Sequence, residues 1–126
     1  MPLYAKSIAI IDEKQDILNL FLEVLEDEGY QPTGFTNPVS FLEYVKQHKD
    51  GFDFVILDYS RISPIEGGEL ANKVYEINPK IKMILLTANS DIVNNTRNLE
   101  VIKKPITLHH LLDILKRYMD RSVINQ

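Results

Sequence analysis

Short apolar runs recur along the chain, and stretches with helical periodicity separate them. The pattern predicts strands at residues 7–11, 52–57, 82–86 and 101–102, and a weak strand at about 31–35. Between most of these runs, apolar residues recur every three or four positions, which is typical of helices that bury one face. Connections of this length make neighbouring strands parallel. We therefore predict an α/β domain whose parallel sheet is covered by helices on both faces.

Residues with strong conformational preferences mark the ends of the first two helices. The first helix is predicted from Asp16 to about Glu28, and Gly29 is placed to end it. Asn37 is expected to cap a second helix that has Pro38 in its first turn. The predicted apolar stripes of the two helices are Ile17, Leu18, Phe21, Leu22 and Leu25, and Phe41, Leu42 and Val45.

The second half of the chain is less regular. Residues 60–68, SRISPIEGG, are predicted to be a loop, and the helix after them ends at Asn78-Pro79. A short, weak helix is predicted within 90–99, where asparagine is frequent. Thr107 is expected to cap the last helix. The inner faces of the third and last helices are predicted to be Leu70, Ala71, Val74 and Ile77, and Leu108, Leu111, Leu112, Leu115 and Met119.

Composition excludes several kinds of site. The chain has no cysteine, which excludes disulfides, thiolate metal sites and thiol catalysis and agrees with a reducing cytoplasm. Its net charge is -4, and the pairs Lys103-Lys104 and Lys116-Arg117 are too short to form a nucleic-acid footprint. The apolar runs are too short for a membrane span, and MPLYAKS lacks the core of a signal peptide. We expect a soluble cytoplasmic protein, monomeric or weakly dimeric, that contacts neither nucleic acid nor membrane.

Polar residues stand where the predicted strands end. Asp12 and Glu13 follow the first strand, Asp58 the third, Thr87 the fourth and Lys104 the fifth. Parallel strands share a direction, so their carboxyl ends meet at one edge of the sheet, where open α/β sheets place their ligand site. Each residue taken alone has a simpler explanation as a turn or cap residue. Their joint occurrence predicts a shared cleft.

The chemistry of such a cleft follows from its charges. Two carboxylates about 4 Å apart repel by roughly 4 kcal/mol at an effective dielectric near 20. Either one acid keeps its proton, or a cation occupies the cleft. Mg²⁺ prefers oxygen ligands and fits three carboxylates. A nucleophilic carboxylate beside Mg²⁺, a lysine and a hydroxyl is suited to accepting a phosphoryl group.

Four stretches together resemble the receiver domain of two-component response regulators. They are IAIIDEKQDIL, FDFVILDYS, MILLTA and VIKKPI, and the resemblance runs from about Ser7 to Tyr118. It implies a flavodoxin-like fold with sheet order 2-1-3-4-5. It further implies a single stand-alone receiver over residues 1–126 without an output domain. Such a receiver would be phosphorylated by a sensor histidine kinase and would signal by binding an unidentified downstream protein.

The resemblance also implies roles for the residues at the strand ends. Asp58 would be the phosphoacceptor of a protein that catalyses its own phosphorylation and dephosphorylation rather than turning over a separate substrate. Glu13, Asp58 and the backbone carbonyl of Ser60 would bind Mg²⁺, with Asp12 binding it directly or through water. Lys104 would pair with the phosphoryl oxygens.

The same resemblance implies which residues would respond to phosphorylation. The Thr87 hydroxyl would move to the phosphoryl group, beside the small Ala88. A cis peptide bond is expected before Pro105. Val101 stands where many receivers carry the aromatic residue that moves with the threonine, so the aromatic half of the switch is expected to be absent. Ser60 and Asn89 border the path of hydrolytic water in the family, and we expect them to control the lifetime of the acyl phosphate.

This chain departs from the usual receiver sequence in the length of one side chain and of one loop. Glu13 stands where aspartate is usual and is longer by one methylene. The loop after Asp58 is one residue longer than usual, and its proline is displaced to Pro64.

Other functions fit the sequence less well. A receiver-like interaction module that is no longer phosphorylated is the main alternative, and the altered loop and Val101 favour it. A phosphatase of the haloacid dehalogenase type needs a second acid two residues after the nucleophile, where this chain has Ser60. A flavin-binding protein needs a phosphate cradle, but DEKQD is acidic and lacks glycine. His48, His109 and His110 are expected at the surface.

Overall fold

The structure is a computed structural model that describes residues 6–88 and 98–124. Within these ranges the chain forms five strands and four helices. In chain order they are β1 (Ser7–Asp12), α1 (Gln15–Asp27), β2 (Gln31–Phe35), α2 (Pro38–Gln47), β3 (Phe54–Asp58), α3 (Pro64–Ile77), β4 (Lys82–Thr87), β5 (Leu99–Lys103) and α4 (Leu108–Ile124). The weak helix predicted within 90–99 lies almost wholly outside the described residues, and Leu99 belongs to β5.

The strands form one parallel sheet in the order β2-β1-β3-β4-β5. This order confirms the predicted fold class. Asp12 at the end of β1 is the register partner of Asp58 at the end of β3, and Thr87 at the end of β4 pairs with Lys103. The sheet register therefore brings the polar ends of four strands to the same edge.

Successive residues of the central strands contribute to two cores on opposite faces of the sheet. On one face, Ala9 and Val55 pack with residues of α2 and α3. On the other face, Ile10 and Ile56 pack with residues of α1 and α4. Side chains alternate along a strand, so strands buried on both faces must be apolar at nearly every position. This accounts for the continuous apolar runs in the sequence.

Several local predictions are confirmed. Gly29 follows α1 with a φ of 92°, a conformation that glycine adopts readily. The Asn37 side chain accepts a hydrogen bond from the backbone N–H of Ser40 (2.9 Å) and caps α2. The Thr107 hydroxyl accepts one from the N–H of His110 (3.0 Å) at the start of α4.

The loop predicted at 60–68 is wrong in its second half, because α3 begins at Pro64. A capping box stabilises this start: the Ser63 hydroxyl accepts from the Glu66 N–H, and the Glu66 side chain accepts from the Ser63 N–H. Gly67 lies inside the helix, where a Cβ would stand 2.9 Å from a methyl group of Leu85. Close packing of helix on strand outweighs the low helix propensity of glycine at this position.

The predicted inner face of α1 is also partly wrong. Leu18 and Leu25 are buried, but Ile17 is 37% exposed. Ile17 instead borders a surface groove described below. Met119 lies in α4, but its side chain is outside the described part of the structure.

Within residues 6–88 and 98–124, no helix has the length and apolar character needed to cross a membrane.

Candidate functional site

The predicted polar residues meet at the carboxyl edge of the sheet. Asp12 and Asp58 end adjacent strands and face each other in the register of the sheet. The backbone N–H of Lys104 donates a 2.7 Å hydrogen bond to the carbonyl oxygen of Thr87, which ties the end of β5 to the end of β4. Asp12, Asp58, Thr87 and Lys104, from four separate parts of the chain, therefore lie at one edge of the sheet, and we call this group of residues the Asp58 cleft.

Asp58 and Lys104 form the central contact of this cleft. The Lys104 Nζ lies 2.5 Å from Oδ1 of Asp58, and the two side chains are 38% and 12% exposed. The peptide bond between Lys104 and Pro105 is cis, as the family resemblance implies. An ammonium group at this distance forms a charge-assisted contact with the carboxylate, and its other N–H groups are suited to binding further negative charge.

Asp12 is the most buried acid of the site, with only 3% of its surface exposed. Burial raises the pKa of its carboxyl, while a hydrogen bond from the Lys14 N–H (2.9 Å) lowers it. The charge of Asp58 and a hydrogen bond to it raise the Asp12 pKa further, and Lys104 opposes them. The net pKa is raised, so ionised Asp12 adds unfavourable negative charge to the folded protein.

Replacing Asp12 by Asn is expected to stabilise the protein at neutral pH. Asn retains the acceptor for the Lys14 N–H but carries no charge. A stabilising single substitution typically contributes about 0.5–2 kcal/mol, which raises Tm by roughly 2–8 °C in a domain of this size. Thermal unfolding followed by circular dichroism measures the gain.

The pH dependence of this gain has a defined sign. The native Asp12 pKa lies above its unfolded value, so the native state holds the proton longer and wild-type stability falls as pH rises through the window above about 4. The gain in Asp12→Asn should therefore grow across that window and vanish below it. Asp50→Asn, which removes an exposed carboxylate, is the matched control. An equal gain in both variants, or one independent of pH, would contradict the prediction.

Glu13 is bound by the loop that follows Asp58. Its Oε1 accepts the N–H of Ser60 (2.8 Å) and also the Ser60 hydroxyl, and its Oε2 lies 3.3 Å from Nε of Arg61. The hydrogen bond from the Ser60 hydroxyl has the largest effect on the Glu13 pKa and lowers it. The hydrogen bond from the Ser60 N–H and the charge of Arg61 lower this pKa further. Sequence reasoning missed Arg61. The one sequence signal for it was a basic residue three positions after Asp58.

The metal-binding potential of the cleft rests on its donor chemistry. Asp12 and Asp58 offer adjacent carboxylates, and their mutual repulsion favours a cation. Their oxygens are the ligands that Mg²⁺ prefers. In the described part of the chain, however, no three acidic, histidine or cysteine side chains converge as metal ligands. The donors fit a hard cation, but Glu13 contacts Ser60 and Arg61 instead of completing the set.

Two surface depressions meet at Lys104. A polar cleft of about 360 Å³ is bordered by Ser60, Thr87, Ala88 and Lys104. A second, apolar groove of about 270 Å³ extends from Asp58 and Lys104 along α1. We call it the α1 groove, and its apolar wall includes Ile17, Leu20, Phe21, Ile106 and Leu111. Asp58 thus borders the α1 groove, and Lys104 borders both depressions.

The remaining predicted residues lie away from this chemistry. Val101 is in β5 opposite Leu85 and packs against the core on the α2 and α3 face. His109 lies 3.6 Å from Asp113 on the exposed face of α4, and the His48 ring stacks on Tyr44 with centroids 4.1 Å apart. These placements confirm surface histidines. Asn89 lies outside the described residues.

Comparison with known proteins gives a consistent result. The sequence model of the response regulator receiver domain matches residues 8–116. Sporulation initiation phosphotransferase F of Bacillus subtilis (strain 168) is 28% identical over 119 residues, covering 90% of this chain and 94% of that protein. The response regulator receiver protein CpdR of Brucella abortus (strain 2308) is 25% identical, covering 90% and 97%.

Solved structures agree on the fold. The response regulator protein TrrA of Thermotoga maritima, in complex with Mg²⁺-BeF, has a TM-score of 0.69 and 28% identity, covering 89% of this chain and 97% of that chain. A response regulator receiver domain protein of Clostridium thermocellum has a TM-score of 0.79 at 21% identity, covering 96% and 99%.

Proposed function

The chain belongs to the response regulator receiver domain family of two-component systems, and from this premise we propose that it accepts a phosphoryl group on Asp58 in a Mg²⁺-dependent reaction. One observation carries the proposal: Asp58 ends a buried strand, in contact with Lys104 and beside Asp12. The donor is a phosphorylated sensor histidine kinase, and the phosphorylated protein switches its binding to a downstream protein. Residues 7–118 act as one receiver unit, in the cytoplasm.

The proposed step is a displacement at phosphorus. A carboxylate oxygen of Asp58 attacks the phosphorus, and the bond from phosphorus to the histidine nitrogen of the donor breaks. The electron pair of that bond stays on the nitrogen, which takes up a proton. The product is an aspartyl phosphate whose additional negative charge forms beside the ammonium group of Lys104.

The other residues of the edge have supporting roles. Asp12, Glu13, Asp58 and the Ser60 carbonyl are the residues that would hold Mg²⁺, which when bound supplies positive charge to the carboxylates and the phosphoryl oxygens. Thr87 and Ala88 border the polar cleft together with Lys104, so a hydroxyl-bearing and a small residue lie near the ammonium group that would pair with a phosphoryl oxygen. Hydrogen bonding of that hydroxyl to the phosphoryl group is the local change that would be transmitted to a partner.

Two relatives support this assignment through their names alone. Sporulation initiation phosphotransferase F is named for phosphoryl transfer, and the TrrA structure carries Mg²⁺ with a beryllium fluoride group. Both are 28% identical to this chain over about nine-tenths of its length.

The direct test is phosphorylation by acetyl phosphate in the presence of Mg²⁺. Intact-mass spectrometry should show one phosphoryl adduct, and chelation of the divalent cation by EDTA should abolish it. Beryllium fluoride with Mg²⁺, which forms no covalent phosphoryl product, serves as a binding control. Adduct formation that is equally fast in EDTA would contradict the proposed role of the metal.

The α1 groove is suited to docking the phosphoryl donor, because it joins an exposed apolar surface to Asp58. Leu20 is 53% exposed on this surface. Leu20→Glu is expected to slow phosphotransfer from a purified, phosphorylated histidine kinase of the same organism by about tenfold or more, the effect of losing a well-packed interface residue. Uptake from acetyl phosphate, which needs no docking surface, should be unchanged.

A matched variant locates this effect. Val39 is 67% exposed on α2, away from the α1 groove. Val39→Glu makes the same kind of change and should leave kinase transfer unaffected. Equal slowing by both variants, or slowing of acetyl phosphate uptake by Leu20→Glu, would refute docking in the groove.

A second candidate is a receiver-like interaction module that takes no phosphoryl group. The contacts of Glu13 with Ser60 and Arg61 favour it, because they engage one of the expected metal ligands. Absence of any adduct with acetyl phosphate and Mg²⁺, in a protein that still binds a partner, would establish this alternative.

A further inference from the structure

Both carboxylate oxygens of Glu13 are engaged by two consecutive residues of the loop after Asp58. Oε1 accepts hydrogen bonds from the N–H and the hydroxyl of Ser60, and Oε2 pairs with Nε of Arg61 at 3.3 Å. Glu13 and Ser60 are 47 positions apart in the chain. We call this set of contacts the Glu13 clamp.

Asp12 and Glu13, the two acids at the end of β1, have different partners because their side chains differ in length. Asp12 has a short side chain whose Oδ1 accepts the Lys14 N–H, and it stays buried beside Asp58. Glu13 is one methylene longer and reaches the neighbouring loop. Arg61 offers the Glu13 carboxylate a positive charge, and Ser60 offers it hydrogen-bond donors. Together they stabilise this carboxylate in place of a divalent cation.

We propose that Ser60 and Arg61 are positioning residues that hold Glu13 in competition with a divalent cation, and so weaken the cation affinity of the Asp58 cleft. The inference rests on the proposed function, since the competing ion is the Mg²⁺ of the phosphorylation site. Glu13 must leave the clamp before its oxygens serve the cleft. Cation binding is thereby coupled to the contacts of the loop at 60–63.

The surroundings of the loop allow this exchange. The Arg61 side chain is 79% exposed, so its release moves no core residue. On either side of it the loop is anchored: Tyr59 and Ile62 pack against the core, and the Ile62 N–H donates to the Tyr59 carbonyl at 3.2 Å. Ser63 is held by its capping box with Glu66. Opening of the clamp therefore changes the contacts of Ser60 and Arg61 while the start of α3 stays in place.

Calorimetric titration with MgCl₂ tests the competition. Arg61→Ala should bind Mg²⁺ about two- to fivefold more tightly than the parent, the range expected when one exposed ion pair is removed. Ser60→Ala removes the hydroxyl contact but keeps the backbone donor, and it should also bind Mg²⁺ more tightly than the parent. Because Arg61→Ala also removes a positive charge, Lys14→Ala is the matched control, since Lys14 is exposed and acts on Glu13 only through its charge.

Two outcomes of these titrations would contradict the proposed competition between the clamp and the cation. Unchanged or weaker Mg²⁺ binding by Arg61→Ala would mean that the clamp has no effect or helps to place Glu13 for the ion. Equal tightening in Lys14→Ala would assign the effect to net charge alone. Either result refutes the proposal.

Amide NMR of Ser60 tests the clamp without any metal. In the metal-free protein, Glu13→Gln should shift the Ser60 amide resonance, because a neutral acceptor replaces a charged one. Addition of Mg²⁺ to the parent should move the same resonance in the same direction. An unchanged Ser60 amide in Glu13→Gln would refute the clamp even if Mg²⁺ binds normally. Absence of Mg²⁺ binding in every variant would refute the competition together with the proposed metal dependence, whatever the metal-free spectra show.

Discussion

Asp58→Asn is expected to abolish the phosphoryl adduct formed with acetyl phosphate and Mg²⁺. Asn has nearly the shape of Asp but lacks the anionic oxygen that attacks phosphorus, so no acyl phosphate forms. It also removes the carboxylate that pairs with Lys104 at 2.5 Å. Intact-mass spectrometry or phosphate-affinity electrophoresis compares the variant with the parent.

Asp53 provides the matched control for this variant. It lies just before β3, at the opposite end of the strand from Asp58, and it accepts the Ser7 N–H at 2.9 Å. Asp53→Asn preserves that acceptor and should be phosphorylated like the parent. An equal adduct in Asp58→Asn would mean that another residue is the acceptor.

Lys104→Ala is expected to slow phosphoryl uptake by about 100-fold, the typical effect of removing one group that stabilises charge in a transition state. Lys104 is placed for this role because it contacts Asp58 and borders both the polar cleft and the α1 groove. Without its ammonium group, the charge that develops on the phosphoryl oxygens has one less partner. The rate of adduct formation with acetyl phosphate measures the effect.

Lys103 supplies a control of the same residue type at the adjacent position. It is exposed at the end of β5, and Lys103→Ala makes the same change in net charge. It should alter the rate by less than about twofold, the usual scale for a screened surface charge. Similar slowing in both lysine variants would indicate a general electrostatic effect and contradict a specific role for Lys104. Unfolding curves of both variants establish that the fold is retained.

The elements that sequence reasoning predicted best are those set by local chemistry. The Asn37 cap and the turn at Gly29 depend on the residue itself and on its immediate neighbours. The three central strands, β1, β3 and β4, were recognisable because burial on both faces requires an almost unbroken apolar run. The parallel arrangement followed from the helical connections, and with it the polar edge that contains Asp12, Asp58 and Lys104.

The errors concern residues whose state depends on distant packing. The glycines before Leu70 suggested a loop, but α3 starts at Pro64 and includes Gly67 where the helix packs close to Leu85 on β4. Ile17 has the periodicity of a buried residue, but its exposed fraction depends on how α1 sits on the sheet. The packing of Gly67 on Leu85 and the exposure of Ile17 cannot be deduced from neighbouring residues, whereas the capping box of Ser63 and Glu66 is a local signal for the start of α3 that the prediction overlooked.

The same distinction between local chemistry and distant packing applies to the candidate site. The alternation of strands and helices sets the direction of every strand, and this alone predicts which polar groups reach the carboxyl edge. The direction of each carboxylate, in contrast, depends on the folded chain: Asp12 points toward Asp58, and Glu13 toward Ser60 and Arg61. The physical reason is that a side chain takes the partners its surroundings offer, and here those partners come from a loop 47 positions away that strand pairing alone brings into reach.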